Sequence, residues 1–373
     1  MLVLMTRFGR MAAGSLAGAV VVAMLLVGCH SLVREADLER DNPIRPPAGA
    51  PFGLEEFFAE ELRTPDPKRA RLGRWLFYDT RLSSDGRVSC ATCHRPDHAF
   101  SEPTAVSTGV DGRRGRRKAM TVANLGARTL LIDTPAPERS HAFFWDGRAE
   151  ALETQVLQPI SNPVEMGLDI TTLVARLRDV RAYAPYFSES FGTTEVTSAR
   201  VASALADYVR TLRSGNSAYD RWRYAGDASG MSLSAQRGSD VFFFTGRCAV
   251  CHAGFNFSDG RYFNLGVGWD SGAGRFADEG RAAVTGRAAD LGRFKTPALR
   301  DVSKHAPYMH DGSLPSLRAV VEFYNRGGID NPWRSERIRP LSLTTQDIDD
   351  LVAFLHALDS DRLADAAPTL FPR

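Results

Sequence analysis

Apolar residues along this chain recur mostly at the three- and four-residue spacing of an amphipathic helix. In one such stretch, Leu72, Trp75 and Leu76 fall on the same helical face. Strict alternation of apolar and polar residues, which would indicate strands, is scarce. The pattern therefore predicts a mainly α fold. Helices are expected over five stretches: Arg69 to Tyr78; Glu195 to Arg213; one capped by Ser234 and continuing through Val241 and Phe244; Pro315 to Arg326, closed by Gly327; and one begun by the capping-box pair Thr344 and Asp347.

The first 28 residues have the pattern of an export signal. Arg7 and Arg10 precede an apolar run, 11–28, that contains no acidic residue. The run ends in Leu26-Val27-Gly28-Cys29, which resembles the lipobox of bacterial lipoproteins. We therefore expect cleavage before Cys29, a lipid anchor on that cysteine, and a periplasmic protein. His30 at the following position favours the outer membrane in that class of protein.

Two other interpretations of the leader remain open. One is an ordinary cleaved signal followed by an unrelated cysteine. The other is a permanent membrane span, which the glycine and serine interruptions within 14–18 disfavour. Removing residues 1–28 takes away two of the 46 basic residues and none of the 44 acidic ones. The mature chain is then near neutral, so no nucleic-acid partner is expected.

The length of 373 residues predicts two folded domains, because a single hydrophobic core seldom serves so long a chain. Residues 29–51 contain four prolines and are typical of an extended tether. A segment rich in Gly, Ser and Asp, 214–232, separates what remains into the predicted domains 52–214 and 215–373. An apolar fraction of 43% excludes a disordered chain and a multi-span membrane protein.

Four of the five cysteines repeat one motif. Cys90-Ala-Thr-Cys93-His94 and Cys248-Ala-Val-Cys251-His252 both match C-x-x-C-H. Cysteines at this spacing can form thioethers to the two vinyl groups of one haem, and the adjacent histidine then ligates the iron. A redox dithiol, half of a zinc site or a disulfide would also use two such cysteines. None of these alternatives explains why a histidine directly follows the second cysteine in both motifs. The motif therefore predicts two covalent c-type haems, one in each predicted domain.

With these motifs, three further segments resemble the bacterial di-haem cytochrome c peroxidase and MauG family. They are Phe144-Trp145-Asp146-Gly147-Arg148, Asn162-Pro163-Val164-Glu165-Met166-Gly167 and Ala306-Pro307-Tyr308-Met309-His310-Asp311-Gly312. The similarity extends over about residues 52–360. It implies two cytochrome c-like domains, with a peroxidatic haem in the first and an electron-transfer haem in the second.

The first haem of this family needs an open sixth coordination position to react with peroxide. The peroxidase branch closes that position with a histidine until the enzyme is reduced, and the matching residue here is Val110, which cannot ligate iron. The resemblance therefore implies a first haem that is five-coordinate without reductive activation, as in the MauG branch. His98 and His141 remain alternative ligands.

Three residues match the reactive positions of the family. Glu165 corresponds to an acid–base carboxylate, whose pKa burial would raise and which could move the peroxide proton. Gln155 corresponds to a second residue of that pocket, and Trp145 to a tryptophan lying between the haems. Each has a purely structural alternative, since Glu165 could cap a neighbouring helix and Trp145 could be a large core residue.

The resemblance also bears on the sixth ligand of the second haem. The peroxidase branch has methionine where this chain has Tyr324, whereas the MauG branch has tyrosine. A phenolate ligand would stabilise the ferric and higher states, so this haem would store oxidising equivalents better than it would relay electrons. In the alternative, Tyr324 is a core residue and Met309, His310 or no side chain ligates the iron. By resemblance, His310 lies near the haem edge.

A calcium ion is possible but is disfavoured by one residue. The family binds calcium between its domains through backbone carbonyls, which match His305 and Pro307, and through an asparagine, whose position here is Lys118. An ammonium group cannot ligate calcium and repels it. Either the ion is absent and Lys118 supplies a positive charge, or water completes a weaker site. The basic run 113–118 could also pair with haem propionates or be a solvated loop.

These features imply a di-haem peroxidase that reduces hydrogen peroxide to water through a ferryl state of the first haem. Its electrons would come from a small periplasmic donor, a c-type cytochrome or a cupredoxin. An alternative is a MauG-like enzyme that oxidises residues of a partner protein, which Val110 and Tyr324 favour. A pure electron-transfer cytochrome is the third alternative, and it requires both irons to be six-coordinate.

Overall fold

The computed structural model describes residues 37–38, 40, 42–44, 64–126, 142–361, 363, 365–368 and 371–372. The leader, Cys29, most of the tether and His141 lie outside these residues. The chain divides into two compact units, Met1–Pro43 and Ile44–Arg373. In the first, Arg40 and Asp37 form an ion pair of 2.8 Å. Across the part of the chain described, every helix is too short or too polar to cross a bilayer.

The second unit is mainly helical, as the apolar spacing predicts. In chain order its helices are α1 (Pro67–Tyr78), α2 (Cys90–Cys93), α3 (Leu152–Gln155), α4 (Gln158–Ser161), α5 (Ile170–Asp179), α6 (Ala184–Phe191), α7 (Ser198–Thr211), α8 (Ala218–Tyr224), α9 (Leu233–Asp240), α10 (Ala282–Thr285), α11 (Leu317–Asn325) and α12 (Thr345–His356). The strands β1 (Tyr262–Asn264) and β4 (Arg293–Lys295) pair antiparallel, as do β2 (Trp269–Asp270) and β3 (Arg275–Phe276).

The first half of this unit is built on the crossing of α1 and α7. Asp66 starts α1 by accepting hydrogen bonds from the next helical N–H groups, and Pro67 occupies the first turn without cost. The two helices meet at Gly73, where an added Cβ would lie 1.9 Å from the carbonyl oxygen of Ala204. The side chains of Leu72 and Leu205 are fully or almost fully buried beside this contact. The chain leaves α1 directly toward the first C-x-x-C-H motif.

The second half repeats this arrangement with α9 and α12. A Cβ on Gly238 would lie 1.8 Å from the carbonyl oxygen of Asp350, so these helices also touch backbone to backbone. The prediction that Ser234 caps α9 is wrong: the cap is Ser232, which accepts from the N–H of Ala235 at 3.1 Å. Ser234 instead donates to Asp350 at 2.5 Å. After α9 the chain continues as a π-helical turn, Val241–Thr245, into the second motif.

The remaining predicted helices are confirmed with small shifts at their ends. The expected stretch 195–213 is α7, which begins after Thr197, and the stretch 315–326 is α11, which begins after Ser316. The capping box of Thr344 and Asp347 starts α12 as predicted. Gly327 follows α11 with a φ of +86°, a conformation that favours glycine.

The predicted boundary segment 214–232 is well packed. It contains α8, and Tyr219 of this helix packs against Phe257 and Phe354 in the apolar core of the second half. Asp220 is fully buried and forms an ion pair with the buried Arg300 at 2.7 Å. The part of this segment that contains α8 is therefore anchored in the core of the second half, whereas residues 223–226 are exposed. The division into domains at 214 stays a prediction.

Candidate active site

Two cavities lie next to the two C-x-x-C-H motifs. The cavity of about 580 Å³ is lined by Cys248, Cys251, His252 and Tyr324, among others. The cavity of about 1170 Å³ is lined by residues that include His94, Gln155 and Glu165. Both volumes are of the size that proteins use for cofactors and other large ligands. Eight of the described residues line both cavities, among them Lys118, Trp145 and Lys295.

The two motif histidines are held in the same way. Nδ1 of His94 lies 3.2 Å from the carbonyl oxygen of Phe100, and Nδ1 of His252 lies 2.8 Å from that of Phe257. Burial lowers the pKa of both imidazoles, so each is neutral and donates through Nδ1. Nε2 of each ring is then left for a metal, which is the usual second-shell arrangement of a ligating histidine. Both histidines therefore fit a haem iron.

The four motif cysteines suit thioether attachment better than thiolate chemistry. Each pair lies on one helical turn that also positions the histidine, whose N–H bonds back to the first cysteine, at 2.9 Å in the first motif and 2.8 Å in the second. All four are free thiols, and burial raises their pKa values to about 12. A redox dithiol needs an accessible thiolate. The residues thus fit two covalent haems, and when bound these groups supply the redox chemistry.

The cavity of His94 is the candidate site for peroxide. Glu165 is half-buried in its wall, where burial raises the pKa of the carboxyl group despite the nearby Arg148. The amide of Asn162 donates to Glu165 Oε1 at 2.8 Å and orients it. Gln155, at the end of α3, reaches the same cavity. The structure therefore brings together three residues that the sequence predicts for one pocket.

Val110 offers no ligand to this cavity. Its side chain is 1% exposed and is not part of the cavity wall, and its N–H donates to the carbonyl oxygen of Glu165 at 2.8 Å. His98 lies beside Asp97 at the surface, also off the wall of either cavity. Among the residues of known position, His94 is the one histidine that reaches the larger cavity. The alternative ligand His141 falls outside the described chain.

Trp145 forms part of the wall between the cavities. Its Nε1 donates to the carbonyl oxygen of Lys118 at 2.9 Å, and its own carbonyl oxygen accepts from the N–H of Lys295 at 2.8 Å. The indole packs edge-on against His310, with ring centroids 6.5 Å apart. His310 in turn stacks on Phe294 at 3.6 Å, and burial lowers its pKa to about 4, so it is neutral.

An ionic cluster next to Trp145 was not predicted from the sequence. Asp146 is almost fully buried and receives Arg117 at 2.6 Å and Arg148 at 3.1 Å. Arg117 also holds Asp278, from the second half of the chain, through two hydrogen bonds of 2.7 and 2.8 Å. The basic run 113–118 is the signal that could have indicated it. One of its arginines ties the tryptophan loop to the second half.

Tyr324 faces the cavity of His252 from α11. Its hydroxyl makes no hydrogen bond to any residue that the structure describes, and burial raises its pKa. Tyr308 lines the same cavity, but its hydroxyl donates to the carbonyl oxygen of Val302 at 3.1 Å. Met309 and His310 also reach this cavity, so they are not excluded by position. Of the two tyrosines, Tyr324 has the hydroxyl free for a metal.

Lys118, which matches the asparagine ligand of the calcium site implied by the resemblance, is buried and hydrogen-bonded. Its ammonium group is 5% exposed and donates to the backbone carbonyls of Glu102 and, at 3.1 Å, Thr104. Burial lowers the pKa of Lys118 to about 8, which still leaves it charged at neutral pH. These are not the carbonyls of His305 and Pro307 that the resemblance implies for calcium, but the ammonium group stands where the family has an asparagine ligand, and it cannot ligate calcium. These residues do not fit a calcium ion.

Each of the two C-x-x-C-H motifs has a histidine that is hydrogen-bonded to a backbone carbonyl, and each has its own pair of crossing helices. Together they define a di-haem protein of the cytochrome c type. The sequence profile described as di-haem cytochrome c peroxidase matches residues 67–229. Methylamine utilization protein MauG of Methylorubrum extorquens is 40% identical over 307 residues, 82% of each chain. The chain belongs to the di-haem cytochrome c peroxidase and MauG family, whose architecture has two haems.

Other relatives show that both branches of the family are similar to this chain. Cytochrome-c peroxidase IdrP1 of Denitromonas iodatirespirans is 32% identical over 317 residues, which is 78% of this chain and 81% of the relative. Among solved structures, a MauG-like protein associated with microbial copper homeostasis superimposes with a TM-score of 0.74 at 27% identity. That match covers 88% of this chain and 98% of the other. Family membership therefore does not choose between the two activities.

Proposed function

We propose that this protein reduces hydrogen peroxide to water at the His94 cavity, with electrons from an external periplasmic donor. The observation that carries the proposal is the shared cavity of His94, Gln155 and Glu165, with the Val110 side chain held away from its wall. A haem attached to Cys90 and Cys93 and ligated by His94 would supply the redox chemistry there. Gln155 and Glu165 are the polar side chains in that cavity that could act on peroxide.

Glu165 acts as the acid–base group. Its carboxylate takes a proton from the near oxygen of peroxide and returns it to the far oxygen, which then leaves as water. A carboxyl group can do both when burial brings its pKa closer to neutral pH. Asn162 keeps Oε1 oriented, and Gln155 holds peroxide by a hydrogen bond. Trp145, which lines both cavities, passes electrons between them.

In the second cavity, Cys248, Cys251 and His252 would hold the other haem, with Tyr324 as its sixth ligand. The free hydroxyl of Tyr324 supports this assignment over Tyr308, whose hydroxyl is already bonded. A phenolate would stabilise oxidised states of the iron. A phenolate ligand favours a second candidate function, that of a MauG-like enzyme. In this function the two oxidising equivalents of peroxide oxidise residues of a partner protein.

One experiment tests the main proposal. Optical and EPR spectra of the ferric protein are recorded before and after peroxide, followed by turnover with a reduced c-type cytochrome or cupredoxin. We expect one high-spin and one low-spin haem, both responding to peroxide, and steady donor oxidation. Two low-spin haems that do not respond would overturn it in favour of an electron-transfer cytochrome. A long-lived oxidised state with negligible turnover would favour the protein-modifying function.

We also propose that Lys118 supplies a positive charge in place of calcium, because it stands at the position of the family's asparagine ligand and its ammonium is held by the backbone carbonyls of Glu102 and Thr104. Prolonged treatment with a chelator should then leave the spectra and the peroxide response unchanged. In Lys118→Met two carbonyls lose their partner, which should cost about 1–3 kcal/mol of unfolding free energy. Lys68→Met is the control, since Lys68 is exposed at the start of α1. Loss of the response with chelator would contradict the proposal.

For location, we propose a periplasmic lipoprotein anchored to the outer membrane through Cys29. The support is the sequence of the leader alone. Labelling cells with a fatty-acid analogue should mark the wild-type chain and not Cys29→Ser. A Cys29→Ser protein that is still lipidated, or a wild-type protein that is never labelled, would leave an ordinary cleaved signal as the better interpretation.

A further inference from the structure

A buried tyrosine and a carboxylate form a short hydrogen bond outside both cavities. Tyr208 of α7 is 2% exposed, and its hydroxyl lies 2.5 Å from Oδ2 of Asp365. Arg74 of α1 holds Asp365 through two nitrogens, with hydrogen bonds of 2.9 to 3.1 Å. Neither the acid–base pocket nor the wall at Trp145 uses these residues. The hydrogen bond joins α7 to a segment 157 residues further along the chain.

The phenolic proton of Tyr208 has one clear destination. A phenol has a single hydrogen, and the other neighbour of this hydroxyl, Tyr78, is further away at 3.4 Å. Burial raises the pKa of Tyr208 well above its usual value, so the phenol does not ionise by itself near neutral pH. The side chain of Asp365 is 20% exposed, which gives a proton on this carboxylate a route to water.

The tyrosine is linked to the first haem motif through one aromatic ring, that of Phe77. The ring of Phe77 lies 5.1 Å from that of Tyr208 and 6.5 Å from the imidazole of His94, measured between centroids. One aromatic ring therefore separates Tyr208 from the proximal histidine of the peroxide site. Short tunnelling distances through packed rings allow fast electron transfer. The proton acceptor lies on the far side, near solvent.

We infer that Tyr208 is a redox-active tyrosine that serves the His94 site, with Asp365 as its proton acceptor. The inference rests on the proposed function, since peroxide is the oxidant. After peroxide has oxidised the His94 site, one electron leaves Tyr208 for that site, which is reduced by one equivalent. The O–H bond of Tyr208 breaks, its proton binds Asp365 Oδ2, and a neutral tyrosyl radical remains. An external electron and the return of the proton restore the phenol.

Two nearby side chains show what makes Tyr208 different. Tyr183 is fully buried and donates to Asp79 at 2.7 Å beside Arg81, so its acid–base chemistry is the same. No aromatic ring among the described residues contacts it, so it lacks the electronic connection. Trp75 is buried among aromatic rings, but its Nε1 has no acceptor. Tyr208 combines the ring contact with the proton acceptor.

The test is EPR of the haem-loaded protein, frozen within milliseconds to seconds of mixing with peroxide. Protein made with ring-deuterated tyrosine identifies a tyrosyl radical by the narrowing of its signal. We expect the signal in wild-type protein and in Tyr183→Phe, and its loss in Tyr208→Phe. Asp365→Asn should slow radical formation by about 10²-fold, because the proton acceptor is removed. Wild-type protein should also show an exchangeable proton coupling to the radical that disappears in D₂O.

The outcomes separate this inference from the proposed function. If the haem absorption responds to peroxide but no tyrosyl radical forms, or if the radical persists unchanged in Tyr208→Phe, the inference is wrong and the peroxidase proposal stands. If the haem absorption does not respond at all, both are wrong. If Tyr208→Phe does not fold, three measurements still test the inference. They are the EPR signal of the deuterated wild-type protein, its proton coupling in D₂O, and the rate of radical formation in Asp365→Asn. A wild-type radical that has no exchangeable coupling and is insensitive to Asp365→Asn would overturn the inference.

Discussion

Trp145 donates the hydrogen bond of its indole to a backbone carbonyl, that of Lys118, and not to a carboxylate. A carbonyl oxygen accepts a hydrogen bond but does not take the proton, so an oxidised indole here stays positively charged. The side chains of Lys118 and Lys295 line the same two cavities and carry like charge. Both effects make an oxidised Trp145 less stable than an oxidised neighbouring residue. Trp145 therefore suits the brief passage of an electron and not the storage of an oxidising equivalent.

Replacing Trp145 by phenylalanine should therefore uncouple the two haem sites. The first site should still respond to peroxide, while the spectral change of the second becomes slower than in the wild type. Rapid-mixing absorption spectroscopy separates the two responses. Trp222→Phe is the matched control, because Trp222 packs against the second core away from both cavities. Simultaneous changes in Trp145→Phe at the wild-type rate would show that electrons take another route.

Glu165→Gln should lower the rate of peroxide cleavage by about 10²- to 10⁴-fold while the resting ferric spectrum stays as in the wild type. The amide keeps the size and a hydrogen-bonding oxygen but cannot move a proton. Stopped-flow mixing with peroxide measures the rate. Glu195→Gln serves as control, since Glu195 pairs with Arg200 on the surface. A rate within twofold of wild type would exclude Glu165 as the acid–base group.

The same carboxyl group predicts a pH dependence of stability. Burial raises the pKa of Glu165 in the folded state, so the folded protein binds more protons at this site than the unfolded chain. The stabilisation is fully present below the unfolded pKa of about 4.3 and is lost as the pH rises through the higher folded value. Denaturant titrations across this window should show a decline that is smaller in Glu165→Gln. Identical slopes for the two proteins would contradict the raised pKa.

Tyr324→Phe should change the second haem, whereas Tyr308→Phe should not. Both residues line the cavity of His252, but only the hydroxyl of Tyr308 is already bonded to a backbone carbonyl. Loss of a phenolate ligand should raise the reduction potential of that haem and alter its low-spin EPR signal. Redox titration and EPR provide the readouts. If Tyr308→Phe alone produced these changes, the ligand assignment would be wrong.

Gly73→Ala and Gly238→Ala should each destabilise the protein by about 1–3 kcal/mol, because the added methyl group would overlap a backbone carbonyl. The contact is between helix backbones, so a side-chain rotation cannot relieve it. Gly115→Ala is the control, since its Cβ would meet no atom closer than 3.6 Å. Thermal unfolding measures the three variants. Equal stability of Gly73→Ala and Gly115→Ala would show that α1 and α7 can separate at no cost.

The sequence was sufficient for features that depend on neighbours in the chain. The helices and the capping box of Thr344 follow from local spacing, and the structure confirms them. The two haem motifs were also recognised from local spacing. The start of α9 was placed two residues late because Ser232 and Ser234 are equally good caps, and tertiary contact with Asp350 decided between them. The grouping of Glu165 with Gln155 came from resemblance, not from spacing.

Contacts between distant segments were beyond prediction. Tyr208 and Asp365 lie on a central helix and near the end of the chain, and neither belongs to a motif. Lys118 was recognised as unsuited to calcium, but its binding to the carbonyls of Glu102 and Thr104 depends on the path of that loop. Such pairings are decided by packing, and a single sequence carries no signal for them.

The loop of Val110 and the loop of Glu165 are packed directly against each other. They touch backbone to backbone, because a Cβ on Gly109 would lie 2.3 Å from the carbonyl oxygens of Val164 and Glu165. A histidine arising by mutation at the buried position 110 would displace the loop that holds the acid–base carboxylate. The two loops therefore form one mechanical unit, and any ligand introduced at position 110 would be felt at the carboxylate of Glu165.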